Sequence, residues 1–153
     1  MINIMFVCTG NICRSAMAEK LLKKKLQDLG MSQKVEAYSC GTYAEADDTP
    51  TYEATTVMMK KYGIDMTSHR ATPIRDSKIY DMDLILCMTN SHKNTLKLVC
   101  PDLVDRIFLL REYAGLDGEI SDPYGGTIKV YEECINDIEK CLDLLIKKEF
   151  GGV

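Results

Sequence analysis

An apolar run, Ile2 to Val7, ends at Cys8 and gives way within eight residues to an amphipathic stretch, so the chain opens with a buried strand that turns directly into a helix. A strand that is apolar on both sides has to be covered on both faces, which is the condition of a parallel sheet lying between helix layers. The same alternation continues along the chain. From Ser15, residues Met17, Ala18, Leu21, Leu22, Leu26 and Leu29 recur at helical spacing until Gly30. Val35 to Ser39 reads as a second strand and Gly41 to Asp48 as a loop. Thr49-Pro50 opens a second helix that runs to Tyr62 before Gly63. Asp83 to Met88 is a third strand, Ser91 to Val99 a helix stopped by Pro101, and Arg106 to Leu110 a fourth strand. Tyr131, Ile135, Ile138, Leu142, Leu145 and Ile146 form the single apolar face of a long C-terminal helix. Strands alternating with helices imply right-handed crossovers and an α/β fold, a parallel sheet with helices on both faces. Ligands of such sheets sit beyond the carboxyl ends of the strands, where the loop after Cys8 falls.

That loop, Cys8-Thr9-Gly10-Asn11-Ile12-Cys13-Arg14-Ser15, combines a thiol with an anion site. The N–H groups of a short turn and the positive end of a helix favour negative charge, and the same field favours the ionised form of a thiol placed there. Arg14 adds a planar fork of donors suited to phosphoryl oxygens. Cys8 is therefore expected to attack phosphorus in line and to carry the transferred group as phosphocysteine. The N–H groups from Thr9 to Arg14 would meet the charge that develops on the equatorial oxygens. The plainer alternative is a buried cysteine beside an arginine in a surface ion pair. It accounts neither for Gly10-Asn11 between the two nor for the strand before and the helix after. Asn11 suits a backbone position with positive φ. The Ser15 hydroxyl can donate to the thiolate or cap the helix, and the residues alone leave both open. The leaving group needs a proton, and Asp122 in the turn Ser121-Asp122-Pro123-Tyr124-Gly125-Gly126 is the candidate donor, with Tyr124 as an aromatic wall.

At 153 residues and 46% hydrophobic content, the chain is expected to form one domain spanning residues 1–153. A net charge of -4 gives no electrostatic footprint for nucleic acid or an anionic membrane. With no apolar leader behind Met1, a cytoplasmic location is expected. Seven cysteines, an odd number without zinc-ligand spacing, fit a reducing compartment without structural disulfides. No metal or cofactor is expected, since Arg14 and the loop amides supply the charge stabilisation that a cation would. Apart from Cys8 and Cys13, the cysteines read as small core residues. Lys23, Lys24 and Lys25 read as a solvated helix flank, and Gly151-Gly152 as a glycine tip.

With Asp122-Pro123-Tyr124 placed before a final helix, the run Val7 to Ser15 resembles the low-molecular-weight protein tyrosine phosphatases. The likeness extends to Ser68-His69-Arg70-Ala71 and Leu86-Cys87-Met88, and covers essentially the whole chain. It implies a four-stranded parallel sheet flanked by helices, with Cys8 as nucleophile, Arg14 as phosphate clamp and Asp122 as general acid and then general base. Asn11, Ser15 and His69 would support the loop. Cys13 would trap an oxidised Cys8 as a disulfide. Ala16 departs from the proline usual in that family after the Arg-Ser pair. The implied partner is a phosphorylated protein, with the enzyme a monomer or weak dimer.

The family has a bacterial protein-arginine phosphatase branch, which this chain resembles at Met88-Thr89, His92-Lys93, Glu112-Tyr113 and Asp122 to Gly126. Against that stands Ile12, where the arginine branch carries Thr and the tyrosine-directed enzymes carry Ile. An isoleucine offers no hydroxyl and flanks a phenyl ring well, so phosphotyrosine is the expected substrate and phosphoarginine the alternative. Tyr124 would stack on either planar group, and Tyr43 or Glu45 would form the opposite wall. An arsenate reductase on the same loop would need a further mobile cysteine pair, and Cys87 and Cys100 do not suit it. A phosphate-binding module without turnover would not need Cys8, Arg14 and Asp122 together.

Overall fold

A computed structural model describes residues 1–151; Gly152 of the terminal glycine pair and Val153 lie outside the described residues. Its centre is a four-stranded sheet in the order β2-β1-β3-β4. Strand β1 (Ile2–Cys8) pairs in parallel with β2 (Val35–Gly41), from Ile2 opposite Val35 to Cys8 opposite Gly41. On its other edge β1 pairs in parallel with β3 (Leu84–Cys87), which pairs with β4 (Ile107–Leu109). After β2 the chain crosses to the far side of β1, so the carboxyl end of β1 lies where the strand order reverses. In open α/β sheets that crevice receives the ligand.

Alternate residues of β1 serve different layers. Ile4 and Phe6 are buried with Leu21 and Leu22 of α1 (Arg14–Asp28), Val57 and Met58 of α2 (Tyr52–Tyr62) and Ile135, Ile138 and Leu142 of α5 (Ile128–Phe150). Met5 and Val7 face the opposite cluster, with Leu96 of α3 (Asn90–Val99) and Leu103. Each fully buried aliphatic or aromatic side chain contributes about 1.5–3 kcal/mol, and the two layers together hold β1 so that its last residue, Cys8, is fixed. The fold expected from the sequence is thus present, with helices on both faces of a four-stranded parallel sheet.

The differences lie at element ends. The second helix begins at Tyr52 rather than at Thr49-Pro50. Thr51 is its N-cap: the Thr51 side chain accepts from the Ala54 N–H, while its own N–H is drawn to the Ile12 carbonyl. Strand β2 runs two residues past Ser39, so Gly41 belongs to the sheet and not to the loop. The fourth strand is shorter than expected, because Arg106 closes a 3₁₀ turn (Pro101–Arg106) and Leu110 opens α4 (Leu110–Tyr113). A four-residue helix is too short to show a period. Lys25 is more than a solvated flank: it pairs with Glu139 and Asp143, each at 2.9 Å, and so ties α1 to α5. Among the described residues no helix is long and apolar enough to cross a membrane.

Candidate active site

Residues 9–13 link the carboxyl end of β1 to the first turn of α1, and most of their carbonyls are held by hydrogen bonds. Cys8 O accepts from Thr42 N–H, Thr9 O from Tyr43 N–H, Ile12 O from Thr51 N–H and Cys13 O from Met17 N–H. Asn11 O accepts from Nε2 of His69 at 2.8 Å. No backbone N–H of residues 9–13 donates to a backbone acceptor among the described residues. A loop with most of its carbonyls engaged and its amides uncommitted is a nest for an anion.

Asn11 has φ 57° and is fully buried. Its Oδ1 accepts from Thr72 N–H at 2.9 Å and its Nδ2 donates to Ser15 Oγ at 2.8 Å. Ser15 Oγ also lies 2.9 Å from Cys8 Sγ. Because Asn11 donates to this hydroxyl, the Ser15 proton is free for the sulfur; its one other acceptor among the described residues, Cys40 O, is farther at 3.4 Å. Helix α1 begins without a side-chain cap, so of the two roles open for Ser15 the structure shows contact with the thiol and not capping.

Arg14 is buried. Its Nη1 donates to Ile120 O at 2.9 Å, its Nη2 lies 3.6 Å from Asp122 Oδ2, and its Nε has no partner among the described residues. A buried guanidinium with an uncommitted N–H calls for an anion. Asp122 is 108 positions beyond Arg14 in sequence, yet it stands beside that guanidinium with about half of its side chain exposed. Its Oδ1 accepts from Tyr124 N–H, which fixes the turn; the Tyr124 ring is exposed. Burial above all, with Cys8 next, pushes the Cys13 thiol up to about 12, so it is a neutral neighbour. The structure therefore brings Cys8, Thr9, Gly10, Asn11, Ile12, Cys13, Arg14, Ser15, His69 and Asp122 to one place. Tyr124 shares the turn of Asp122, and Tyr43 is joined to the loop through its backbone.

Several residues that shape this site carry no signal in the loop's own sequence. A Cβ on Gly41 would lie 2.4 Å from Thr9 O and 3.0 Å from Asn11 N, so only glycine lets β2 pass the loop. Thr72 and Ile120 act through their backbones, and His92 reaches Thr9 from α3. A glycine at the end of a strand was the one available clue. Cys40, Cys87, Cys100, Cys134 and Cys141 are buried, as expected of core cysteines. This arrangement can hold a phosphoryl group against a thiol and offer a carboxyl group to whatever leaves.

Residues 3–150 match the profile of a family described as low molecular weight phosphotyrosine protein phosphatase. A protein-arginine-phosphatase of Bacillus subtilis (strain 168) is 33% identical over 147 residues, 95% of each chain. One from Geobacillus stearothermophilus is 36% identical over 146 residues, 95% of this chain and 94% of the other. The crystal structure of a low molecular weight protein tyrosine phosphatase from T. tengcongensis superposes with a TM-score of 0.91 at 39% identity, over 97% of this chain and 99% of that one.

Proposed function

The chain belongs to the low molecular weight phosphotyrosine protein phosphatase family and is a cysteine-dependent phosphatase, and on that premise we propose that its substrates are proteins phosphorylated on arginine. In the proposed reaction the Cys8 sulfur attacks phosphorus while Arg14 and the amides of residues 9–14 hold the three equatorial oxygens. As the bond to the leaving nitrogen breaks, Asp122 passes its proton to that nitrogen. The phosphoryl group stays on Cys8. Water then attacks phosphorus, its proton goes to the Asp122 carboxylate, the S–P bond breaks and phosphate leaves.

One observation carries the choice of arginine. A segment that resembles the arginine-directed branch reaches the loop: His92 contacts Thr9 at 2.8 Å, and the adjacent Lys93 ties that segment to a second one through Glu112 at 3.2 Å. The two full-length relatives named protein-arginine-phosphatase support the same reading. Phosphotyrosine, the substrate expected from the sequence, is the second reading and rests on Ile12. Its half-buried apolar side chain lies in the loop itself. The two are separated by kcat/KM on peptides of one sequence bearing either phosphoarginine or phosphotyrosine, with Ile12→Thr alongside. Arginine preference predicts the higher value for phosphoarginine and a further rise on Ile12→Thr. A higher value for phosphotyrosine that reverses on Ile12→Thr supports the second reading.

A further inference from the structure

His92 occupies the third position of α3, is buried, and bridges two elements. Its Nδ1 lies 3.1 Å from the Thr89 backbone nitrogen, which can only donate, so Nδ1 is an acceptor and bears no proton. The ring proton is then on Nε2, 2.8 Å from Thr9 Oγ1, and the imidazole donates to that hydroxyl. Thr9 follows the nucleophile directly, its carbonyl is already fixed by Tyr43 N–H, and its side chain is exposed. A hydroxyl that accepts from His92 keeps its single proton for another acceptor.

We infer that His92 is a positioning residue of the active site, which fixes Thr9 beside the nucleophile and turns the Thr9 hydroxyl into a donor for an oxygen of the phosphoryl group or its leaving group. This rests on the reading of Cys8 as nucleophile. The ring does two separable things. Through Nδ1 it takes the place that Glu or Gln holds in a capping box at the start of α3, and through Nε2 it orients Thr9. An asparagine amide stands near the position of Nδ1 and a glutamine amide near that of Nε2. His92→Asn therefore loses the contact with Thr9, whereas His92→Gln can supply either the cap or the donor to Thr9, so the coupling between positions 92 and 9 is what separates the two roles.

The test measures the burst rate, kcat and KM with an aryl phosphate for wild type, His92→Asn, His92→Gln, Thr9→Val and the His92→Asn/Thr9→Val double variant. His92→Asn and Thr9→Val are each expected to lose about tenfold in burst rate and kcat, the size of one lost hydrogen bond, with KM within about twofold. His92→Gln is expected to stay within about threefold of wild type, and His92→Asn to add nothing once Thr9 is Val. Additive losses in the double variant would show that His92 acts apart from Thr9, as a cap alone, and overturn the inference. Thr9→Val keeps the question open to refutation if the His92 variants do not fold, since full activity of Thr9→Val alone contradicts the inference. Turnover that survives in Cys8→Ala overturns the reading of Cys8, whereas loss of turnover in Cys8→Ala with unaltered His92 and Thr9 variants overturns only the role of His92.

Discussion

Arg14 and Asp122 meet at 3.6 Å across the mouth of the loop, a buried cation touching a half-exposed carboxylate that joins it from the far end of the chain. The contact places the candidate acid within reach of whatever the guanidinium holds. Asp122→Asn keeps the shape and removes the proton, so kcat on substrates with poor leaving groups should fall by about 10²–10⁴-fold, with KM changing little. Leaving-group dependence, measured over a series of aryl phosphates, should steepen in the variant. An unchanged slope would remove Asp122 from the role.

Ser15 should matter through the sulfur. Its hydroxyl, 2.9 Å from Cys8 Sγ, receives a hydrogen bond from Asn11, which leaves its proton for the thiolate. Hydrogen bonds to charged groups are worth about 1.5–3 kcal/mol, so Ser15→Ala should lower the rate of phosphoenzyme formation by about 10–100-fold. The same variant should change the rate of Cys8 alkylation by iodoacetamide at a fixed pH. An unaltered alkylation rate counts against the contact.

Gly41→Ala tests the packing of β2 against the loop. The new methyl would press on Thr9 O and Asn11 N, both backbone atoms that cannot swing away. Overpacking of this kind costs about 1–3 kcal/mol, and the strain falls on the anion nest, so thermal denaturation should show a lowered Tm and activity should fall by more than the stability loss explains. Wild-type activity in Gly41→Ala would show that the loop tolerates displacement.

The strands and the thiol-arginine run are legible in the sequence because they depend on contiguous residues. β1 is an uninterrupted apolar run, and residues 8 to 15 form one loop. Asp122 is different: its turn is readable, but its partner is 108 positions away, and only the family likeness pairs the two. Gly41, Thr72 and Ile120 stay hidden for a physical reason, as does the contact of His92 with Thr9. They act through backbone atoms or through a tertiary approach between separate elements, which no local period records. The sequence places the start of α2 early because Pro50 is a good first helical residue, while the pull of Ile12 O on Thr51 N–H is a tertiary contact.

The two histidines make stability fall on mild acidification. Burial, then Arg14, takes His92 from 6.5 down to about 4, against the opposing pull of Asp122 and Glu119. Burial likewise lowers His69, with Lys20 and Arg70 acting in the same direction and Asn11 O and Glu19 against. Both rings are neutral when folded, and the unfolded chain takes up protons first. The stability they contribute is complete above pH 6.5 and is lost as pH falls toward 4, on the order of 2 kcal/mol for His92. Tm measured from pH 7 to 4.5 should decline, and His92→Gln should flatten the decline. The carboxylates Glu19, Glu112 and Glu139, all held below 4.5, lose their contributions only at lower pH. A flat Tm over that interval contradicts the assignment.

The covalent intermediate tests the account most directly. Asp122→Asn should slow hydrolysis enough for the labelled enzyme to be quenched within milliseconds of mixing with a ³²P-labelled aryl phosphate and digested to peptides. The predicted result is one label with the lability in mild acid and the stability in alkali of a thiol phosphate, on the peptide containing Cys8, absent in Cys8→Ala. Label on another residue, or steady turnover with no labelled enzyme at any time, would contradict it.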